Sequence, residues 1–228
     1  MTKPLLGVIG GMGTQATACF YEKLHNLQTV TVEQDYMDIL LYSMPSIPDR
    51  TAFITGQSDN DPFIYLKHAA KTLETAGVSA IALPCATSHY FYNELSDTVD
   101  IPIINILDET AFYAKEQGYK NVCLLATSGT IKGRAFHSAF EKQNITVSIP
   151  SATTQFELMD LIYSIKRGES NSSETLESIM AIMPETIADA VILGCTELCV
   201  IAKESPRVVN ILDVLAKASL KQVRQGTV

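Results

Sequence analysis

Residues 80–89, AIALPCATSH, decide the fold, and residues 190–198, AVILGCTEL, repeat their pattern. Each stretch opens with a short apolar run, which is typical of a strand buried on both faces of a parallel sheet. Each run stops at Pro or Gly, and a cysteine follows where the strand gives way to a helix. Ligands of open α/β sheets bind outside the carboxyl ends of the strands. We therefore predict that Cys85 and Cys195 face one ligand from opposite sides.

Short matches between the two halves of the chain recur in the same order. The matched pairs are Gly13-Thr14 with Gly129-Thr130, Cys85 with Cys195, and 105–108 (NILD) with 210–213 (NILD). This order predicts an internal duplication with changed loop lengths, although any protein of repeated βα units also produces short matches by chance. We expect an α/β fold of two similar lobes with parallel sheets, a pseudo-twofold relation and a ligand cleft between the lobes.

Apolar runs and helical stretches alternate along the chain, as parallel sheets require. The predicted strands are Leu5–Ile9, Met37–Tyr42, Ser79–Leu83, Ile101–Ile106, Asn121–Ala126, 190–194 and Arg207–Asn210. We place a loop over 43–51 and expect Asp108 to cap the helix that follows the fourth strand. Thr154 and Glu157 have capping-box spacing. A helix after the polar break at 170–173 is predicted to run to about Thr186, and a last helix begins at Asp213.

Composition excludes several classes of protein. The 228 residues carry a net charge of −8, which argues against nucleic-acid binding because that needs a basic surface. No apolar run is long enough for a transmembrane helix, and Met1-Thr2-Lys3-Pro4 leads into a strand without the pattern of a signal peptide. Five cysteines without a disulfide framework favour a reducing, cytoplasmic setting.

The glycine-rich stretch 11–16, GMGTQA, fits the dinucleotide fingerprint after a strand and before a helix. That fingerprint also requires an acidic residue at the end of the second strand, where this chain has Tyr42-Ser43-Met44. A helix N-terminus with glycines binds any small anion. We therefore favour a small-anion site here and keep a nicotinamide enzyme as an alternative.

Two opposed thiols allow several kinds of chemistry. A disulfide between Cys85 and Cys195 would make a redox protein, and Cys195 with Cys199 has half the spacing of a metal site, but matching ligands are not evident. With a ligand between them, one thiolate removes a proton while the opposite thiol delivers one, which inverts a stereocentre. We read Cys19, Cys123 and Cys199 as small core residues.

Four blocks of the chain, taken in order, resemble the cofactor-independent aspartate/glutamate racemases: 10–17 (GGMGTQAT), 84–89 (PCATSH), 126–130 (ATSGT) and 194–197 (GCTE). The resemblance spans nearly the whole chain. It implies flavodoxin-like lobes, racemisation without pyridoxal phosphate, any other cofactor or a metal, a small dicarboxylic amino acid as substrate, and a homodimer.

The resemblance also implies a role for individual residues. It makes Cys85 and Cys195 the two bases, and it assigns the substrate's α-carboxylate to Thr87, Thr130 and Thr196 with nearby backbone amides. It assigns the side-chain carboxylate to Arg50 and closure over the site to Lys166. The motif residues Met12, Thr127 and Glu197 complete the predicted substrate-binding set.

Arg50 is also plausible without the resemblance, because arginine recognises carboxylates bidentately and its loop follows a strand end. Lys166 has an ordinary explanation, since lysine is favoured in the last turn of a helix. The racemase family usually has Asn directly after the first cysteine, where this chain has Ala86, and the loss of that amide puts in question which amino acid is the substrate. We interpret His89 as a packing residue beside the site.

The sequence thus predicts an enzyme that racemises aspartate or glutamate in a cleft between two lobes. We assign 1–100 with 208–228 to the N-terminal lobe and 101–207 to the C-terminal lobe. A weakly catalytic binding protein for small anions or amino acids remains an alternative. So do two other reactions of the superfamily, hydantoin racemisation and maleate isomerisation.

Overall fold

The computed structural model describes residues 3–169, 173–181 and 188–225. The first sheet is parallel, in the order β2-β1-β3-β4, and consists of β1 (Leu5–Gly10), β2 (Asp38–Ser43), β3 (Ala80–Ala82) and β4 (Ile103–Ile104). The second is parallel, in the order β6-β5-β7-β8, and consists of β5 (Asn121–Leu125), β6 (Thr146–Ser148), β7 (Ala190–Leu193) and β8 (Val208–Asn210). The same strand order in both halves confirms the predicted α/β fold of two flavodoxin-like lobes.

Helices connect the strands of each lobe. They are α1 (Thr14–Asn26), α2 (Arg50–Thr55), α3 (Phe63–Thr75), α4 (Tyr92–Ser96), α5 (Ile106–Glu116), α6 (Ser128–Lys132), α7 (Ala135–Glu141), α8 (Ala152–Arg167), α9 (Ser173–Ala181), α10 (Thr196–Ile201) and α11 (Ile211–Gln225). Short 3₁₀ helices cover Glu33–Asp35 and Ala86–Phe91. In the described part of the chain, none of the helices has the length and apolarity needed to traverse a bilayer.

The two lobes share one hydrophobic core. Leu6, Val8 and Phe20 of the first lobe belong to the same buried cluster as Leu124 and Ile192 of the second. A separate cluster lies between the other face of the first sheet and α3. The terminal helix α11 packs against α1 and α5. The lobes are thus fixed against each other along one side, which leaves their strand ends to form the site.

Several local predictions were wrong, and each has a physical reason. The strand β6 was missed because its three residues lie at a sheet edge and show no apolar run. Arg50 begins α2 instead of lying in a loop, because the Asp49 side chain accepts the Ala52 N–H at 2.8 Å and caps that helix.

Other helix starts also differ from the prediction by a few residues. Asn105 rather than Asp108 caps α5, since its side chain accepts the N–H groups of Leu107 and Asp108. Ser151 caps α8, so the Thr154 and Glu157 pattern is not a capping box. The last helix begins at Ile211, two residues before Asp213. Of the predicted polar break at 170–173, residues 170–172 lie outside the described residues and Ser173 begins α9. The predicted helix end at Thr186 also lies outside the described residues.

Sheet membership bears on the predicted lobe boundaries. Ile103–Ile104 pairs with β3 in the first sheet, and Val208–Asn210 pairs with β7 in the second. The boundaries at 100 and 208 assign each of these strands to the other lobe. We therefore propose that the first lobe boundary follows β4 and that the second follows β8. The helix α11 then belongs to the N-terminal lobe, against which it packs.

Candidate active site

Both cysteines lie where a buried strand turns into a short helix. Cys85 follows β3 and precedes the 3₁₀ helix Ala86–Phe91, and Cys195 follows β7 and precedes α10. Each residue is only 4% exposed and each is a free thiol. The two positions are equivalent in the two sheets, as the sequence predicted.

Lys166 connects the two cysteines electrostatically. Burial acts to lower the pKa of its ammonium, but the neighbouring acidic groups, Glu197 before Cys195 and Cys85, raise it above its ordinary value. Lys166 lies on α8 of the second lobe and is 19% exposed. Lys166 also adjoins the first lobe, since its Cγ would stand 3.9 Å from a Cβ built on Gly13 and its Nζ lies 3.9 Å from Asp49 Oδ2.

Cys195 is hydrogen-bonded to a carboxylate. Its Sγ donates to Oε2 of Glu197 at 2.9 Å, and the Thr196 hydroxyl reaches the same oxygen at 3.4 Å. Burial, together with the Glu197 charge, raises the pKa of the Cys195 thiol well above its ordinary value. Oε1 of Glu197 is buried and has no hydrogen-bond partner among the described residues. It faces the first lobe, since a Cβ built on Gly13 would stand 3.0 Å from it.

Three threonine hydroxyls form a closed triangle between the lobes. Thr87 of the first lobe lies 3.1 Å from Thr127 and 2.9 Å from Thr130, and these two lie 3.0 Å apart. Thr127 also caps α6 by accepting the Thr130 N–H at 3.1 Å. Thr87 and Thr130, two of the three predicted ligands of the α-carboxylate, are therefore hydrogen-bonded to each other and to Thr127. The third, Thr196, is hydrogen-bonded to Glu197 instead.

Arg50 is buried and held by backbone carbonyls. Its Nη1 donates to Ile47 O at 3.1 Å and Pro48 O at 2.9 Å, and its Nη2 donates to Met12 O at 3.3 Å. Its Nε is buried with no hydrogen-bond partner in the part of the chain that the structure describes. The guanidinium is thus fixed by Nη1 and by one Nη2 hydrogen bond, while Nε and the second proton of Nη2 remain as donors for a bidentate ligand.

Asp49 links the first lobe to α8 across the site. Its Oδ2 lies 3.9 Å from Lys166 Nζ and accepts the Tyr163 hydroxyl at 3.3 Å. The Lys166 ammonium lies 5.2 Å from the centre of the Tyr163 ring. Burial acts to raise the pKa of Asp49, but the Ala52 N–H and the charges of Lys166 and Arg50 outweigh it and lower that pKa.

Two further buried side chains support the first-lobe cysteine. The Ser88 hydroxyl donates to Met12 Sδ at 3.2 Å. The Ile106 N–H donates to Nε2 of His89 at 3.3 Å, so Nδ1 carries the proton and donates to Cys85 O at 3.0 Å. Burial lowers the pKa of His89. These contacts agree with the interpretation of His89 as a packing residue that positions Cys85.

The structure brings most of the predicted site residues into connected groups, and it adds three that the sequence reasoning missed. The connected groups are Cys195 with Thr196 and Glu197; Arg50 with Met12; and Thr87 with Thr127 and Thr130. Lys166 contacts Asp49 and Tyr163 instead, and the Cys85 side chain has no hydrogen bond to any of these groups within the described residues. The added residues are Asp49, Tyr163 and Ser88. Asp49 could have been predicted from the sequence because it directly precedes Arg50. The hydrogen bond of Tyr163 to Asp49 joins distant parts of the chain, so no sequence pattern indicated it.

A metal centre has no support in the described part of the chain, where no group of three His, Cys, Asp or Glu residues could hold a metal ion. Cys199 instead donates to Leu193 O at 3.5 Å. Burial raises the pKa of the Cys199 thiol to about 12. This thiol is therefore protonated near neutral pH, whereas metals are bound by thiolates.

Comparison with known proteins identifies the family. Residues 9–218 match the profile of the Asp/Glu/hydantoin racemase family. The broad-specificity amino-acid racemase RacX of Bacillus subtilis is 28% identical, over 95% of this chain and 96% of its own length.

Solved structures agree with that match. The aspartate racemase of Picrophilus torridus superposes with a TM-score of 0.87 and 31% identity, covering 97% of this chain and 94% of its own. The glutamate racemase of Francisella tularensis in complex with D-glutamate has the same fold, with a TM-score of 0.71 and 17% identity over 98% of this chain and 81% of its own. The chain belongs to the Asp/Glu/hydantoin racemase family and is an isomerase that acts on amino acids.

Proposed function

We propose that this enzyme racemises aspartate or glutamate without a cofactor, using Cys85 and Cys195 as its two acid–base groups. The observation that carries the proposal is a buried cysteine at the carboxyl end of the third strand of each sheet, with Glu197 beside Cys195 and within 3.0 Å of a Cβ built on Gly13 of the first lobe. The family match gives the reaction class, and the arrangement of side chains supports the mechanism and the substrate. A protein that only binds small anions has no comparable support.

The proposed reaction is a 1,1-proton transfer at Cα. One cysteine thiolate takes the α-proton, so that an S–H bond forms, the C–H bond breaks and the electron pair stays on Cα. The opposite thiol then donates its proton to the other face, which forms the new C–H bond and leaves a thiolate. The roles of Cys85 and Cys195 exchange for the opposite enantiomer.

An acidic substrate is supported by the cations at the site. The Nε–Nη2 edge of Arg50 offers two parallel donors, the geometry that carboxylates accept. Lys166 adds a second positive charge, and its nearest anionic partner, Asp49, is a loose contact at 3.9 Å. Several relatives are called aspartate or glutamate racemases, which agrees with a dicarboxylic substrate.

The α-carboxylate is assigned to the threonine triangle of Thr87, Thr127 and Thr130. In the closed structure these hydroxyls bond to one another. A bound carboxylate would accept their protons instead, which replaces internal hydrogen bonds by charge-assisted ones. Ala86 contributes no polar side chain here, so the side-chain hydrogen bonds to the α-carboxylate are assigned to the threonines.

Substrate entry requires the lobes to separate. Both cysteines, Arg50, Glu197 and the threonine triangle are all less than a tenth exposed. The contacts of Asp49 with Lys166 and Tyr163 bridge the two sides of the site. We propose that these contacts break on opening and re-form around the substrate. Closure then excludes water and strengthens the electrostatic stabilisation of the carbanion by Lys166.

The proposal includes a cytoplasmic homodimer as the working form of the enzyme. Light scattering coupled to gel filtration tests the assembly, since a dimer of this 24.9 kDa chain has twice the monomer mass. A monomeric mass with full activity would contradict the homodimer and leave the chemistry unaffected.

The function itself is tested by incubating the enzyme with L-aspartate and L-glutamate separately and resolving the enantiomers by chiral chromatography. We expect the D form of at least one of the two to accumulate towards an equal mixture without added cofactor. Absence of any D form with both amino acids, from well-folded enzyme, would contradict an acidic substrate. Alanine and lysine as substrates then show whether another amino acid is racemised.

A further inference from the structure

The two thiols of the site have different hydrogen-bond environments. Cys195 Sγ donates to Glu197 Oε2 at 2.9 Å. For the Cys85 thiol, no hydrogen bond to a carboxylate exists within the described residues. The residue two positions after Cys85 is Thr87, whose hydroxyl belongs to the threonine triangle, whereas the residue two positions after Cys195 is Glu197.

Glu197 is a buried side chain whose hydrogen-bonded oxygen is directed at Cys195. The residue is 3% exposed, and Oε1 has no hydrogen-bond partner in the described ranges. The only two protein groups that donate to its other oxygen are the Cys195 thiol and the Thr196 hydroxyl, as far as the described residues show. The positive charge that compensates it is Lys166.

A thiolate at Cys195 would therefore stand against an adjacent negative charge. At 2.9 Å between sulfur and oxygen, two negative charges repel strongly in a site from which water is excluded. The thiol form has no such repulsion and gains a charge-assisted hydrogen bond. The Lys166 charge acts against this repulsion without removing it, since burial and Glu197 still raise the pKa of the Cys195 thiol.

We propose that Glu197 holds the proton on Cys195 in the resting enzyme, so that Cys195 enters the reaction as the acid and Cys85 as the base. Glu197 is a positioning residue in this scheme, because it acts through Cys195. The inference rests on the proposed two-thiol mechanism and makes its two bases inequivalent.

The protons balance as follows in the favoured direction. Cys85 thiolate takes the α-proton of one enantiomer, and Cys195 gives its S–H proton to the opposite face of Cα. This leaves Cys85 as a thiol and Cys195 as a thiolate beside Glu197. After product release, Cys195 regains a proton from solvent and Cys85 loses one to solvent, which restores the resting form.

The test measures each thiol directly in the free enzyme. Iodoacetamide is applied from pH 6 to pH 10, and mass mapping of the peptides gives separate alkylation rates for Cys85 and Cys195. In Glu197→Gln, we expect the Cys195 profile to move to lower pH, with alkylation at pH 8 at least about tenfold faster, because one pKa unit changes the thiolate fraction about tenfold. The Cys85 profile should stay where it is.

Two further variants make the result decisive. Glu197→Asp keeps the negative charge but has a shorter side chain, so the carboxylate lies farther from Sγ. The alkylation rate of Cys195 in Glu197→Asp should therefore lie between the rates in wild type and in Glu197→Gln. If Glu197→Gln does not fold, Glu197→Asp takes its place in the test. Glu109→Gln, at a half-buried glutamate on α5, should change neither profile.

An unmoved Cys195 profile, or an equal shift of both cysteines, would overturn the inference. The alkylation rates do not depend on turnover, so this outcome is separate from a failure of the proposed function. If the enzyme racemises aspartate but the pH dependence of Cys195 alkylation does not change in Glu197→Gln, only the proposed role of Glu197 is contradicted. If the pH dependence of Cys195 alkylation shifts as expected but no acidic amino acid is racemised, the proposed function is contradicted and the role of Glu197 is not.

Discussion

The two cysteine corners of the molecule have matching backbones and different side chains. Each corner is a buried parallel strand, a bend at Pro or Gly, a cysteine and a helix of six residues. Four residues after the cysteine, the first corner has His89, which holds the Cys85 carbonyl, and the second has Cys199, which holds the Leu193 carbonyl. Two residues after it, the first has Thr87 and the second has Glu197.

This difference separates what the duplicated fold provides from what the individual residues provide. The strand order 2-1-3-4 recurs in both lobes, so a thiol at the end of the third strand lies at the same edge in each. The charge beside the thiol is set by a single side chain that the repeat does not preserve. A symmetric scaffold thus carries two thiols with different neighbours, a carboxylate beside Cys195 and a threonine hydroxyl two residues after Cys85.

Removal of either thiol is the largest expected effect. Cys85→Ala and Cys195→Ala should each reduce racemisation by about 10²- to 10⁴-fold, because each removes one proton-transfer group. Chiral chromatography of the reaction with L-aspartate measures the loss. Cys19→Ala, at a half-buried cysteine on α1, is the matched control and should stay near wild type.

The comparison would fail if one of the two alanine variants kept near wild-type activity. Such a result would mean that a single corner carries the chemistry and that the matching position of the other has no catalytic use.

The two lobes also contribute different cations, Arg50 from the first and Lys166 from the second. Arg50→Lys should raise KM for a dicarboxylic substrate by about ten- to a hundredfold. Lysine loses the bidentate edge, and a hydrogen bond to a charged group contributes about 1.5–3 kcal/mol. Steady-state kinetics with aspartate and glutamate measure it. Arg134→Lys, at an exposed arginine paired with Glu141, serves as the control.

An unchanged KM in Arg50→Lys would contradict the assignment of the side-chain carboxylate to Arg50. A large fall in the urea midpoint without a change in KM would show instead that this residue serves only to hold the carbonyls of Ile47 and Pro48.

The matched glycines Gly13 and Gly129 each touch the opposite lobe. A Cβ at Gly129 would stand 2.8 Å from the Thr51 Cα, a backbone atom of α2 that cannot move alone. Gly129→Ala should therefore lower the free energy of unfolding by about 1–3 kcal/mol and reduce activity by displacing α2. Urea denaturation with a parallel activity assay measures both.

Gly133→Ala is the control for that substitution, because it lies at the end of the same short helix. Its Cβ would stand 2.9 Å from the Tyr90 ring, a half-exposed side chain that can rotate away, and 3.3 Å from the Gly129 carbonyl oxygen, a milder contact than the one at Gly129. Equal destabilisation by the two alanines would contradict the close contact of α2 with α6 at the lobe interface.

The smallest expected effect concerns His89, which only the first corner has. Burial lowers the pKa of His89 in the folded enzyme below the ordinary value of 6.5. The unfolded chain therefore binds a proton at His89 more readily than the folded enzyme does. Above pH 6.5 the imidazole is neutral in both states; as pH falls below 6.5, protonation of the unfolded chain lowers the free energy of unfolding. His89→Gln should flatten this part of the stability–pH curve.

Urea denaturation at pH 5, 6 and 7 measures that slope. His25→Gln, at an exposed histidine stacked on Tyr36, should leave the slope unchanged. A slope that is equally steep in His89→Gln would contradict a neutral, buried imidazole at Cys85.

The sequence allowed the prediction of features that depend on local pattern. Buried strands such as β3 and β7 have apolar runs that end in Pro or Gly, and the cysteine after each run is fixed by the chain itself. β6 was not predictable because an edge strand of three residues needs little apolar surface. The start of α2 at Arg50 depended on one capping contact from Asp49.

The site was predictable as a set of residues and only partly as a set of contacts. Arg50 was expected to grip a carboxylate, but its fixation by three backbone carbonyls follows from the fold of the loop before it. The hydrogen bond from Cys195 to Glu197 depends on how the first turn of α10 orients both side chains. Tyr163 meets Asp49 only because the lobes pack together.

The most direct test of opposed thiols is hydrogen exchange at Cα in heavy water, followed by NMR with each pure enantiomer of the racemised amino acid. Cys195→Ser retains only Cys85 and should exchange the α-proton of one enantiomer without inverting it. Cys85→Ser should exchange only the other enantiomer. If both variants exchanged the same enantiomer, the two sulfur atoms would address one face of Cα, and the account of opposed acid and base would be contradicted.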